Sequence, residues 1–129
     1  MTVRGRAGGH YWGVVIDAAD ARALADFYVR LLGWRVDKDE DGAFVTVAPP
    51  SGVAYLAVQR SPEYVPPVWP PVDGRQQMMM HLDVEVADLD AAVADASGMG
   101  ARLADVQPQD DVRVMLDPAG HPFCLYVSQ

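Results

Sequence analysis

The sequence predicts an α+β domain of two tandem β-α-β-β-β modules, and three observations predict it. Residues His81 to Ala92 echo Gly13 to Leu24 at an offset of 68 (13 to 81), and the same offset sets Asp117 to Gly120 opposite Pro49 to Gly52. Within each copy the apolar pattern is that of a short strand, then a helix, then three short strands. Between the copies lies a stretch, residues 61–77, that holds half of the ten prolines. Proline has no N–H for a ladder and stiffens a chain, so this stretch reads as a connector. Residues 1–129 are read as one domain, with module one at about 10–60 and module two at 78–129.

The elements follow in order. Tyr11 to Ile16 is a run of aromatic and β-branched residues, the composition of a buried strand. Asp20 stands where a helix N-cap is needed. From Ala21 to Leu32 the residues Leu24, Phe27, Tyr28, Leu31 and Leu32 recur at spacings of three and four, and Gly33 supplies the stop, which predicts an amphipathic helix. Trp34 to Lys38, Ala43 to Ala48 and Val53 to Gln59 are three strands parted by turn signals at Asp39 to Gly42 and Pro49 to Gly52. Module two repeats the scheme with a strand over Met78 to Val86, a helix over Leu89 to Ser97 capped by Asp88, and strands over Ala101 to Val106, Val112 to Leu116 and Pro122 to Val127.

Composition excludes several classes of function. The 10 basic against 18 acidic residues give a net charge of −8, which repels phosphate backbones and anionic lipid, so neither nucleic acid nor a membrane surface is an expected partner. No run approaches the ~18 apolar residues of a spanning helix. A single cysteine, Cys124, allows no internal disulfide, and no apolar stretch follows the basic residues near the amino terminus; a cytoplasmic protein is expected.

The repeat, Phe27 and Tyr28 inside the first helix, Leu31 to Trp34 leaving it, the strand opening at His81, and the closing run from Asp117 to Leu125 resemble the vicinal-oxygen-chelate superfamily. The likeness is to its glyoxalase, bleomycin-resistance and dioxygenase group, in the glyoxalase-like branch, and it covers Gly13 to Val127. It implies two modules whose mixed sheets form an open cup with the helices outside, a small-molecule ligand, often a divalent metal, and commonly a homodimer, to which open sheet edges also incline. In metal-using relatives the ligands come from the first and last strand of each module. The corresponding positions here are Gly13, Leu56, His81 and Cys124. Gly and Leu have no donor atom, and two donors fall short of the three that a catalytic zinc or a facial iron triad requires. No metal cofactor is therefore expected, unless shifted ligands such as His10, Asp83 or Glu85 supply one.

Strand alternation puts His81, Asp83 and Glu85 on one face and Leu82, Val84 and Val86 on the other. An imidazole beside carboxylates is a general-base arrangement, and these three are the candidate catalytic residues. Trp12, Tyr55 and Trp69, together with His81 and Cys124, are the candidate ligand contacts, because flat amphipathic rings suit planar or apolar ligands. The reading is a metal-independent protein that binds or sequesters an aromatic or apolar molecule, with drug resistance as one outlet. The alternatives are a metal-dependent lyase, isomerase or dioxygenase, and a metal-free acid-base enzyme using His81.

Overall fold

A computed structural model describes residues 3–128. They divide into two compact units, Met1–Pro62 and Glu63–Gln129, so the proline-rich connector belongs with the second module. The α+β expectation holds, and both modules are β-α-β-β-β.

Module one comprises β1 (Trp12–Ala18), α1 (Ala21–Leu32), β2 (Arg35–Asp39), β3 (Phe44–Ala48) and β4 (Ala54–Arg60). Its sheet runs β1-β4-β3-β2, with β1 parallel to β4 and the other pairs antiparallel. The helix forms where the sequence places it. Asp20 Oδ1 accepts from the Ala23 N–H at 3.0 Å, and Gly33, in the left-handed conformation at φ 70°, donates to the Val29 carbonyl. Leu24, Phe27 and Tyr28 on α1 bury completely with Val45, Val47, Leu56 and Val58 of the sheet. Phe27 and Tyr28 meet edge to face with centroids 4.9 Å apart. The other face of the sheet is left open.

Module two comprises β5 (Leu82–Glu85), α2 (Leu89–Gly98), β6 (Arg102–Leu103), β7 (Val112–Leu116) and β8 (Pro122–Tyr126). Its sheet runs β5-β8-β7-β6 with the same parallel and antiparallel pattern, which is the duplication seen as topology. Asp88 caps α2 by accepting from the Ala91 N–H at 3.1 Å. This core is thinner: α2 buries only Ala96 fully, over Met115, Phe123 and Leu125.

Two strands are shorter than the sequence pattern indicates. The strand expected from Met78 begins at Leu82, because its partner β8 begins at Pro122, which has no N–H to extend the ladder toward His81. Met79 and Met80 are exposed instead. The strand expected over Ala101 to Val106 keeps only Arg102 and Leu103. Beyond it the Ala104 N–H makes one more bond, to the Val114 carbonyl at 3.0 Å, and the Gln107 side chain then stands in for the strand: its amide nitrogen donates to the carbonyls of Ala104 and Val114 at 2.8 and 2.9 Å, and its oxygen accepts from the Val114 N–H at 2.8 Å. A side-chain amide thus makes the bonds that a neighbouring peptide group makes in a ladder.

Candidate functional site

Each module offers a recess of its own. In module one, the side chains of Arg35, Phe44, Thr46 and Tyr55 stand on the sheet face turned away from α1, and with Tyr11, Lys38, Pro49 and Pro50 they line a cavity of about 450 Å³. Rings and proline carbons supply apolar wall, and the charged groups of the lining balance: Arg35 pairs with Asp37 at 2.9 Å and Lys38 with Glu40 at 3.8 Å. The ring of Tyr55 lies over Gly13, its partner in the parallel ladder, and a Cβ at Gly13 would collide with it. Gly13 is therefore more than a missing ligand: the absence of a side chain there is what lets Tyr55 lie across the sheet.

Module two places different chemistry at the corresponding edge. Nε2 of His81 lies 3.1 Å from Oδ1 of Asp83, and both side chains are well exposed, at 40% and 59%. Asp83 is the register partner of Cys124 across the parallel β5–β8 pair, so the thiol and the carboxylate share one face. Donor atoms of His81, Asp83 and Cys124 all lie within 4.8 Å of one another, the only such His, Cys, Asp or Glu group among the described residues. Burial pushes the Cys124 thiol above its usual range, and the negative charge of Asp83 and a hydrogen bond to it add to the rise. The rise lowers the thiolate fraction near neutral pH and so works against the thiol as a metal-free nucleophile. His81, Asp83 and Cys124 line a recess of about 300 Å³ with Gln109, Asp111, Val112, Tyr126 and Val127.

The ladders revise one of the four family positions. Val15 pairs with Ala57 and Asp83 with Cys124, so the counterpart of Cys124 is Ala57 and not Leu56, which is buried against α1. The run from the turn glycine is five residues in module one (52 to 57) and four in module two (120 to 124), a one-residue difference that the constant offset conceals. Ala57 is as devoid of a donor as Leu56. The family's metal arrangement, drawn from both modules, thus does not fit Gly13 and Ala57; in module two three donors converge.

Other candidates are dispersed. Tyr55 reaches the first recess, and His81, Asp83 and Cys124 the second. Glu85 is exposed on the His81 face and lines neither. Trp12 is 55% exposed on the alternate face of β1, and it too lines neither. Trp69, in the connector, has its indole N–H buried without a hydrogen-bond partner.

Sequence reasoning missed a polar network at the turn into β8. The Asp117 carboxylate, 4% exposed, accepts from the backbone N–H groups of Ala119 and His121 at 2.9 and 3.0 Å and lies 2.8 Å from His121 Nδ1. Tyr64 donates its hydroxyl to the Ala119 carbonyl at 2.7 Å and approaches His121 Nε2 at 3.3 Å. These bonds lock the turn and tie the connector to its own module, a structural role for His121. The signal available was Asp117 at the start of a turn, a position that favours aspartate.

Residues 13–126 match the family model described as glyoxalase-like domain. No curated protein sequence matches the chain. Among solved structures, a glyoxalase/bleomycin resistance protein from Albidiferax ferrireducens T118 is 15% identical with a TM-score of 0.63, over 92% of this chain and 98% of that one. An antibiotic-binding protein, TnmS3 from Streptomyces sp. CB03234, is 20% identical with a TM-score of 0.60, over 93% and 96%. The fosfomycin resistance protein FosX from Mesorhizobium loti is 11% identical with a TM-score of 0.65, over 99% and 95%. At these identities the likeness is one of fold. No helix among the described residues is long and apolar enough to cross a membrane.

Proposed function

This chain belongs to the glyoxalase-like domain family, and we propose that it binds and sequesters a small aromatic or apolar molecule on the open sheet face of module one, without a metal. The carrying observation is the recess of about 450 Å³ walled by Tyr11, Phe44, Tyr55, Pro49 and Pro50. Its size falls within the range of small-molecule sites, and its rings and proline carbons give an apolar ligand a surface to pack on. Arg35 and Lys38 are each paired with a carboxylate of the same lining, Asp37 and Glu40, so the charges offer polar contacts without selecting an anion. Antibiotic binding and fosfomycin resistance, named for two proteins of the same fold, support a foreign compound as the ligand class.

The test is a thermal-shift and fluorescence titration of metal-stripped protein against a panel of planar aromatic acids and neutral aromatics. Binding by the stripped protein is expected, weakened about tenfold or more by Tyr55→Ala, in keeping with the loss of a buried aromatic contact. If no member binds until metal is restored, and metal brings turnover with it, the protein is a metal-dependent lyase, isomerase or dioxygenase instead.

One contact favours a second reading, metal-free acid-base catalysis, namely His81 Nε2 at 3.1 Å from Asp83 Oδ1 beside the smaller recess. Activity of stripped protein that disappears in His81→Ala would support it, and activity that survives the substitution would remove it.

A further inference from the structure

We propose that module two carries a divalent-metal site of its own, suited to zinc, with His81 Nε2, a carboxylate oxygen of Asp83 and Cys124 Sγ as its protein ligands. The proposal is independent of ligand binding in module one. It also differs from the set that the superfamily resemblance implies: Asp83 is not one of those four positions, and all three donors come from a single module.

Geometry carries the argument. Two donors at the corners of a tetrahedron, each about 2.0–2.1 Å from a central zinc, are about 3.3–3.4 Å apart. His81 Nε2 and Asp83 Oδ1 stand 3.1 Å apart, close to that edge. With a zinc–sulfur bond of about 2.3 Å the corresponding nitrogen–sulfur edge is roughly 3.6 Å. The three donor atoms lie within 4.8 Å of one another, so closing the sulfur onto a metal asks for a movement of roughly 1 Å, within reach of side-chain rotation. The backbone already makes the approach, since Asp83 and Cys124 are ladder partners and His81 precedes Asp83 by two residues on the same face.

The donor types choose the ion. One imidazole, one carboxylate and one thiol make a mixed nitrogen, oxygen and sulfur set that suits zinc and its neighbours, whereas calcium and magnesium require oxygen shells. Three protein ligands leave a fourth tetrahedral corner. The exposure of His81 and Asp83 and the adjoining recess of about 300 Å³ give that corner access to water or a small anionic ligand. Gly13 and Ala57 mark the contrast, because module one has no donor at either corresponding position.

The experiment uses the full chain, stripped of metal under reducing conditions and titrated with Co²⁺ and then Zn²⁺. One equivalent is expected, with the near-ultraviolet absorption of a cobalt–thiolate bond and the visible bands of tetrahedral cobalt, both abolished by zinc. Cys124→Ser removes the thiolate band. Asp83→Asn weakens zinc by at least about tenfold, the lower bound for disturbing a metal shell, and since Asp83 is exposed this variant tests the site even if Cys124→Ser fails to fold. His10→Ala leaves binding unchanged. Less than half an equivalent of metal, cobalt binding without the thiolate band, or an Asp83→Asn variant with unaltered affinity overturns the site. None of these outcomes alters whether stripped protein binds an aromatic ligand in module one, so the two proposals fail separately.

Discussion

Module one and module two share a topology and differ in what they bury and in what they expose. Where α1 presents Phe27 and Tyr28, both fully buried, the same positions of α2 hold Asp95, which is exposed, and Ala96. Where β1 has Gly13 under the ring of Tyr55, β5 is preceded by His81, paired with Asp83. The copy with the larger core has Gly13, Val15 and Ala57, none with a side-chain donor, where the copy with the thin core has His81, Asp83 and Cys124. The donors of module two lie on the exposed face of its sheet, away from the helix, so they carry no burial cost of the kind an unpaired polar group in a core would.

The largest effect that tests this contrast is in the helices. Phe27→Ala should destabilise by about 4 kcal/mol, as expected for truncating a fully buried aromatic, while Asp95→Ala at the matching position should change stability by no more than about 0.5 kcal/mol. Urea denaturation of both variants checks this, and equal shifts would show that the modules share the burden evenly.

A smaller effect sharpens the contrast at the strands. Gly13→His restores the side chain type that module two has, but its Cβ meets the ring of Tyr55. Overpacking should cost about 2 kcal/mol, and adding Tyr55→Ala should recover part of it. A Gly13→His protein as stable as the parent would mean that the ring moves freely and that Tyr55 does not hold the position.

The smallest effect is chemical. Burial, then the charge and hydrogen bond of Asp83, raise the Cys124 thiol, so its thiolate fraction near pH 8 is lower than that of an ordinary cysteine and alkylation should be slow. Asp83→Asn removes the two lesser contributions and leaves burial. The alkylation rate of stripped protein, followed by mass spectrometry, should therefore rise, but by less than about tenfold, the equivalent of one pKa unit. An unchanged or slower rate would show that Asp83 does not act on the thiol.

Much of the fold was legible because its signals are local. The bounds of α1 follow from Asp20, the spacing of Leu24 to Leu32, and Gly33, and those of β7 from a compact apolar run. The misjudged features depend on a partner. Met78 to His81 have strand composition, yet the ladder needs an N–H that Pro122 lacks. Val106 fits a strand pattern, but Gln107 takes over the pairing with its side chain. That Ala57 and not Leu56 stands opposite Val15 follows from the pairing of β1 with β4, which the spacing along either strand does not carry. At the site, alternation was enough to align His81 with Asp83. It did not extend to Cys124, because the distance between residues 41 apart in sequence (83 to 124) is set by which strands lie side by side.

The substitution of Gln107 for a strand also bears on how the chain behaves at high concentration. β6 covers only two residues of its neighbour, which would leave much of β7 as a bare margin of peptide groups able to recruit a strand from another molecule. Gln107 takes the Val114 N–H and shares the Val114 carbonyl with the Ala104 N–H, and the Arg113 guanidinium donates to the carbonyl of Val112 at 2.9 Å. Two flexible side chains thereby serve as stoppers, keeping that margin closed to intermolecular pairing without the length of chain that a full strand would need.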